Sequence, residues 1–250
     1  MKYYTASDII TLGTLKLRID FMLANSVVEG DLPYNGILGI ASPFNPYRGN
    51  GVFPRILRGY AHRIIYIWTM KFRDPIDVIL FPSVTGEISL GLPNPTRYVG
   101  IFVWLPLIPS GYWMLRLDGI SFGGAQKIDT SRISNAIIDS GTTLIDVPRS
   151  MFAEILKLHP FLEPYNSQED TYVTSCENVH KVKPFIVFLS GRRFSLSAEQ
   201  LFVEYSDGTC MVAFYPIDGD VFIFGLRFLS AFYVAFNYDQ KQIGFATPIN

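Results

Sequence analysis

The chain has 250 residues, of which 49% are hydrophobic and 17% charged, with a formal charge of −1. Such a chain can bury a large core and is not of the disordered class, and with no sustained basic run it carries no nucleic-acid footprint. Aromatic residues at 15%, together with 20 Gly and 16 Pro, favour strands and turns over helices.

Taken in order, the residues after Met1, KYYTASD, lack the apolar core of a signal peptide. Asp8 to Asn25 alternates apolar and polar residues around Gly13 and predicts a hairpin. Tyr34 to Gly39 ends in Ile37-Leu38-Gly39, two bulky apolar residues before a glycine. Val221 to Gly225 repeats that ending. A glycine after an apolar strand permits close approach by another backbone. A short helix is expected over Val52 to Tyr60, and strands over Arg63 to Phe72 and Gly86 to Gly91. The longest uncharged stretch, Tyr98 to Leu115, contains Pro106, Pro109 and two glycines. It reads as strand, turn, strand, since a membrane helix needs about 20 mostly apolar residues. Strands continue over Gly111 to Gly124 and Val182 to Ser197, the latter turning at Ser190-Gly191. The best helix follows Pro148, which suits a first helical turn, with Phe152, Ile155, Leu156 and His159 on one face. Asp146 is its expected cap. A third short helix is expected from Gly225.

Cys176 and Cys210 are the only cysteines. They are either two buried thiols or one disulfide, and a disulfide implies an oxidising compartment. His62, His159 and His180 are scattered, and each reads as a surface or core residue rather than a catalytic base. There is no Cys/His set with zinc spacing, so neither a metal nor a cofactor is expected.

The stretch NAIIDSGTTLIDVPRS, Asn135 to Ser150, places an acid in an apolar run. Alone, Asp139-Ser140-Gly141 is ordinary turn chemistry. Its surroundings make it more. NAIIDSGTTLIDVP, YNGILGIASP (Tyr34 to Pro43), GEISLGLPNPTRYVG (Gly86 to Gly100), WLPLIPSGYWMLRLDGISFGG (Trp104 to Gly124) and FIFGLRFLSAFYVAFNYDQKQIGFA (Phe222 to Ala246) together resemble the pepsin-like aspartic proteases, in the family's order and over nearly the whole chain. The resemblance implies an all-β, two-lobed fold with a cleft and few short helices. Residues 1–100 would be an incomplete N-terminal lobe and residues 101–250 a complete C-terminal lobe. Ile223-Phe224-Gly225 would support the Asp139 loop, and Ile37-Leu38-Gly39 the equivalent loop of the first lobe. Asn35, Leu226 and Asn237 stand where many members have Asp.

The resemblance also implies the chemistry. Two carboxylates about 3 Å apart cannot both ionise easily and share one proton, of which pepsin is the standard example. The charged one takes a proton from water, and the neutral one hydrogen-bonds to the scissile carbonyl. Asp139 would be half of that pair. Ser140 would send its hydroxyl across to the other lobe's loop, Gly141 would allow the tight turn, and Thr142 would bond the outer oxygen of Asp139. Ile137, Ile138 and Leu144 would pack the flanks. Tyr112, Thr143, Phe222 and Ile223 would line the substrate cleft. Cys176 and Cys210 would form the disulfide of the C-terminal lobe. Peptide or protein substrates are implied, without nucleic acid or a membrane span, in the secretory pathway, secreted or lysosomal/vacuolar.

The sequence holds a single Asp-Ser/Thr-Gly. Asp118-Gly119, Asp207-Gly208 and Asp218-Gly219 lack the middle hydroxyl and are expected in turns. The flap hairpin is missing as well, and Ser7-Asp8 falls shortly after its place in the family. The expectation is a chain that starts well inside the fold and is inactive alone. Two other readings stay open: a homodimer with one aspartate per chain, and a non-catalytic peptide-binding homologue.

Overall fold

The computed structural model describes residues 3–12, 15–24, 36–45, 52–69, 86–124, 126–165, 168–205 and 207–249. Among the described residues strands predominate, arranged in four sheets. The expected first hairpin forms between Tyr3–Leu12 and Leu15–Ala24, with Leu12 opposite Leu15. Its alternation has a physical cause: Leu15, Leu17 and Ile19 face the core while Lys16, Arg18 and Asp20 face solvent.

A five-stranded antiparallel sheet has the order Gly86–Leu90, Ile64–Thr69, Tyr233–Asn237, Gln242–Pro248, Tyr98–Pro106. It joins chain ends that are far apart in sequence, since Ile65 pairs with Phe236. One face presents Ile65, Ile67, Val234, Phe236, Ile243 and Phe245 to the main core. The other carries an aromatic layer in which Tyr233 stacks on Tyr66 (5.8 Å) and Tyr98 (5.3 Å).

The largest sheet runs Arg192–Leu196, Phe185–Leu189, Met114–Phe122, Asn135–Ile138, Phe222–Phe224, Ile145–Pro148, Phe214–Ile217, with Gln126–Ile128 beside Met114–Phe122. Two of its pairings are parallel: Phe222–Phe224 with Asn135–Ile138, and Phe214–Ile217 with Ile145–Pro148. These short strands are rich in Phe and Ile because their inward residues, Ala136, Ile138, Ile145, Phe214, Phe222 and Phe224, are all buried. A four-stranded sheet, Glu163–Tyr165, Gln168–Ser175, Thr209–Val212, Phe202–Glu204, completes the set. A disulfide joins Cys176 to Cys210 across it.

Helices are few and short: Val52–Ile56 continuing as a 3-10 turn Leu57–Gly59, Arg149–Leu158, a 3-10 helix Cys176–Lys181, Ala198–Leu201, and Leu226–Leu229. Met151, Phe152 and Ile155 bury the apolar face of Arg149–Leu158. Ser190 and Gly191 make the expected turn with φ of 47° and 76°. Among the described residues, no helix is long and apolar enough to cross a membrane.

Three expectations are corrected. Asp146 does not cap the helix: Pro148 holds the N-cap position and no side chain bonds there. Residue 146 is drawn into the sheet by pairing with Tyr215 and Ile223. Asp118-Gly119 is not a turn but lies inside Met114–Phe122 at a register shift, where Asp118 pairs with Arg116 (2.6 Å) and accepts the Gly191 N–H (2.6 Å). The segment 36–42 joins no sheet, since, unlike Phe222–Phe224, it finds no ladder partner among the described residues. Tyr34, Asn35 and residues 70–72 lie outside the described residues.

The disulfide closes a segment with a sequence separation of 34. In the chain-entropy account such a crosslink contributes about 3–4 kcal/mol. The double variant Cys176→Ser/Cys210→Ser is expected to lose that much in urea unfolding, and an unchanged midpoint would contradict it.

Candidate active site

The site begins where Asn135–Ile138 runs out. Ala136 and Ile138 point into the core, so Ile137 faces the opposite side. Ile138 N–H donates to the Trp113 carbonyl (2.9 Å) and Asp139 N–H to the Phe224 carbonyl (3.1 Å), so the strand ends gripped from both neighbours. The chain then turns on itself, with Thr142 N–H reaching the Asp139 carbonyl (3.3 Å). The turn aims two donors at the Asp139 carboxylate. Gly141 N–H donates to Oδ1 (2.9 Å) and the Thr142 hydroxyl to Oδ2 (2.9 Å). One donor per oxygen fixes the carboxylate plane. The site of a Cβ on Gly141 lies 3.2 Å from Oδ1, so a side chain there would crowd the acid it serves.

The loop is shaped from outside by Gly225. A Cβ there would sit 2.2 Å from the Leu144 carbonyl oxygen and 2.3 Å from that of Thr142. Gly225 N–H donates to Leu144 O (3.0 Å), Leu226 N–H to Thr142 O (2.7 Å) and Arg227 N–H to Thr143 O (3.0 Å). Successive N–H groups at the start of a helix have no partner within it, and here the loop carbonyls satisfy them. Arg227 anchors that helix. Its side chain is only 6% exposed and donates to the carbonyls of Gln200 (2.8 Å), Glu199 (3.1 Å) and Phe202. Burial pushes its pKa down to about 10.

Asp139, Ser140 and Gly141 open on a cleft of about 490 Å³. The facing wall is Ile37 to Ser42, with Tyr112 and Trp113 between. Side chains distant in sequence hold that wall: the Trp113 indole N–H donates to Ile40 O (2.9 Å) and the Tyr238 hydroxyl to Ala41 O (2.8 Å). Ser42 donates to Ser110 O (3.1 Å). Burial raises the Tyr238 pKa. The two apolar-apolar-glycine segments differ sharply. Phe224 is buried and Gly225 is packed against carbonyls, whereas Ile37 is 84% exposed and Gly39 has open space around it.

Of the residues singled out from sequence, Tyr112, Ser140 and Gly141 line the cleft with Asp139, and Tyr112 is 62% exposed. The Ser140 hydroxyl has no hydrogen-bond partner among the described residues. Thr142 touches the carboxylate, while Thr143 is exposed and outside the cleft lining. Ile223 is half-buried on the open side of its strand. Phe222 is a correction: it is fully buried and stacked on Phe224 (5.8 Å), because alternation sends 222 and 224 inward and leaves only 223 outward. His159 is buried edge-on to Phe122 and its Nδ1 lies 2.9 Å from Ile155 O. Burial lowers its pKa. His62 and His180 are exposed. Among the described residues no group of His, Cys, Asp or Glu could hold a metal.

Sequence reasoning missed Arg227, Trp113, Tyr238 and the setting of Asp146. The first was signalled only as a lone charge in an apolar run. Asp146 is half-buried, and burial, then the charge of Asp139, raises its pKa to about 6.

The sequence profile of the eukaryotic aspartyl protease family matches residues 2–248. The chain is 26% identical to cathepsin D of Dictyostelium discoideum over 263 residues, covering 100% of this chain and 66% of that protein. It is 29% identical to cathepsin E of Aquarana catesbeiana over 226 residues, 88% of this chain and 54% of that protein. It is 31% identical to renin of Echis ocellatus over 223 residues, 86% of this chain and 53% of that protein. The chain thus spans 53% to 66% of the length of these relatives.

Gly225→Ala is expected to cost about 3 kcal/mol or more through backbone overlap, read as a lowered denaturation midpoint; a midpoint like that of the parent would contradict it. A second expectation concerns pH. The folded Asp146 carboxyl titrates at about 6 against an ordinary 3.8. The folded form therefore holds the proton more tightly, so this contribution to stability is full below 3.8 and lost as pH rises through about 6. Asp146→Asn removes it. The parent's stability relative to the variant should fall over that window, with His159 cancelling between the two proteins. Parallel urea-midpoint profiles would contradict it.

Proposed function

The chain belongs to the eukaryotic aspartyl protease family, and from that premise we propose that Asp139 is one of two carboxylates that activate water for attack on a peptide bond. The observation that carries this reading is the Asp139 carboxylate itself, fixed by Gly141 N–H and the Thr142 hydroxyl at the edge of an open cleft. In the reaction, one carboxylate of the pair accepts a proton from water as the water attacks. The other, protonated, donates to the carbonyl oxygen as it becomes an oxyanion. The proton belongs to the pair rather than to either acid. Gly141 and Thr142 keep the carboxylate oriented, which serves positioning without any movement during the reaction. Tyr112 and Ile37 offer exposed apolar surface to an extended peptide or protein substrate.

The second carboxylate, in this reading, comes from outside these 250 residues, on a polypeptide segment bearing another Asp-Ser/Thr-Gly loop. Three facts support that: the sequence holds one such motif, Ile37 and Leu38 stand exposed across the cleft from Asp139, and the chain spans 66% or less of the relatives quoted. Ser140 then bonds across to the incoming loop. The Cys176–Cys210 disulfide supports a secretory, extracellular or lysosomal compartment.

Incubated alone with an apolar peptide at acid pH, the 250-residue chain is expected to show no turnover. Hydrolysis that Asp139→Ala abolishes, with a rate proportional to protein concentration, would overturn the need for an outside carboxylate. A rate rising as the square of concentration would instead point to a second copy of the chain.

A further inference from the structure

The Cys176–Cys210 bond has one buried end and one accessible end. Cys210 lies on Thr209–Val212 and is 5% exposed, whereas Cys176 opens the 3-10 helix Cys176–Lys181 and is partly exposed. Both line a cavity of about 320 Å³. At about 30 Å³ per water molecule it holds on the order of ten waters, enough room for a small organic thiol. Val179 and Phe202 give it apolar walls, and the exposed side chains of His180, Glu199 and Glu204 form its rim. None of these residues lines the cleft of Asp139.

A disulfide exchanges when a thiolate reaches one of its sulfurs, so access separates a reactive crosslink from an inert one. Here access is selective. The two carboxylates on the rim draw in a positively charged thiol and repel an anionic one, and the apolar walls suit a short hydrocarbon link between amine and sulfur. The exchange balances. The thiolate bonds to Cys176 Sγ, the Cys176–Cys210 bond breaks, and Cys210 Sγ leaves with the electron pair and takes a proton from water.

The break falls beside the anchor of the Asp139 loop. Cys210 pairs with Glu204, on the same short strand as Phe202. The carbonyls of Phe202 and Glu199, both residues of this cavity, accept from the Arg227 guanidinium. The backbone of Gly225 to Arg227 in turn holds the loop. Movement of Phe202–Glu204 on loss of the crosslink therefore reaches Arg227 first.

We propose that this cavity is a thiol-exchange site, which takes a small cationic aminothiol as a mixed disulfide on Cys176 and thereby loosens the Arg227 anchor. The site is independent of the peptidase reading and stands whether or not Asp139 cuts peptides.

In the test, the folded 250-residue chain at neutral pH meets cysteamine or mercaptopropionate, an anion of the same length, and the freed thiol is trapped with iodoacetamide. Each rate is divided by that of the same thiol on the chain unfolded in urea, which removes the thiol's own reactivity. Peptide mass mapping should place cysteamine on Cys176 and the alkyl group on Cys210. The folded-to-unfolded ratio should be roughly tenfold higher for cysteamine than for mercaptopropionate, and added salt should shrink the difference. Glu204→Gln should narrow it too, as should Glu199→Gln, so a folding defect in either variant leaves the other to decide. Amide hydrogen exchange at Leu226 and Arg227 should quicken in the adduct while that of Val234 to Phe236 stays as it was. A folded chain that reacts only in proportion to its unfolded fraction, an adduct on Cys210, equal ratios for the two thiols, or a difference that survives both substitutions overturns the site. Unchanged exchange at Leu226 and Arg227 in the adduct overturns its coupling to the anchor.

Discussion

Everything at this site depends on a gap with no room for one carbon atom. At Gly225 a side chain would overlap two carbonyl oxygens of the Asp139 loop, and only because it has none can the backbone of residues 225–227 donate three successive hydrogen bonds into that loop. From that side the loop is thus held by main-chain hydrogen bonds, while the Thr142 hydroxyl is left to serve the Asp139 carboxylate. Arg227 fixes the helix on the other side by tying it to the carbonyls of Glu199, Gln200 and Phe202. The order of dependence runs from a buried guanidinium, through a four-residue helix and a glycine, to one carboxylate.

The apolar run that surrounds Asp139 follows from the same construction. Its strand is central in a sheet, flanked by Met114–Phe122 and Phe222–Phe224. One side of it must fill the core and the other must form a cleft wall, so both are apolar. The acid is carried into view at the strand's end, where the ladder stops and the carboxylate takes its donors from its own turn. The facing wall is built differently. Ile37 and Leu38 are exposed, and the segment is held through Ile40, Ala41 and Ser42 by Trp113, Tyr238 and Ser110. The cleft therefore has one wall whose glycine is packed and one whose glycine stands in open space.

Much of this was legible from residues. The alternation about Gly13, the Ser190-Gly191 turn, the helix after Pro148 and the strand, turn, strand reading of Tyr98 to Leu115 all rest on local signals, and local signals survive in the fold. The errors share another cause. Whether Phe222 or Ile223 looks into the cleft depends on which face of a three-residue strand meets the core, and that is set by partners at Ala136 and Ile137, far away in sequence. Asp146 stands two residues before Pro148 and reads as a cap until the sheet claims it. Asp118-Gly119 has turn composition but is held inside Met114–Phe122, where Gly119 pairs with Phe188 beside a register shift. Arg227, Trp113 and Tyr238 act on backbone carbonyls, which carry no signature in sequence at all.

The account stands or falls on Asp139 as a working acid. The most direct measurement is the acid-pH endopeptidase activity of the native polypeptide isolated from its source, beside the same polypeptide carrying Asp139→Asn, which keeps the shape and removes the charge. The account predicts peptide hydrolysis in the first and a loss of about a thousandfold or more in the second. Hydrolysis that persists undiminished after the substitution would contradict it, and so would a native polypeptide that binds peptides and cuts none.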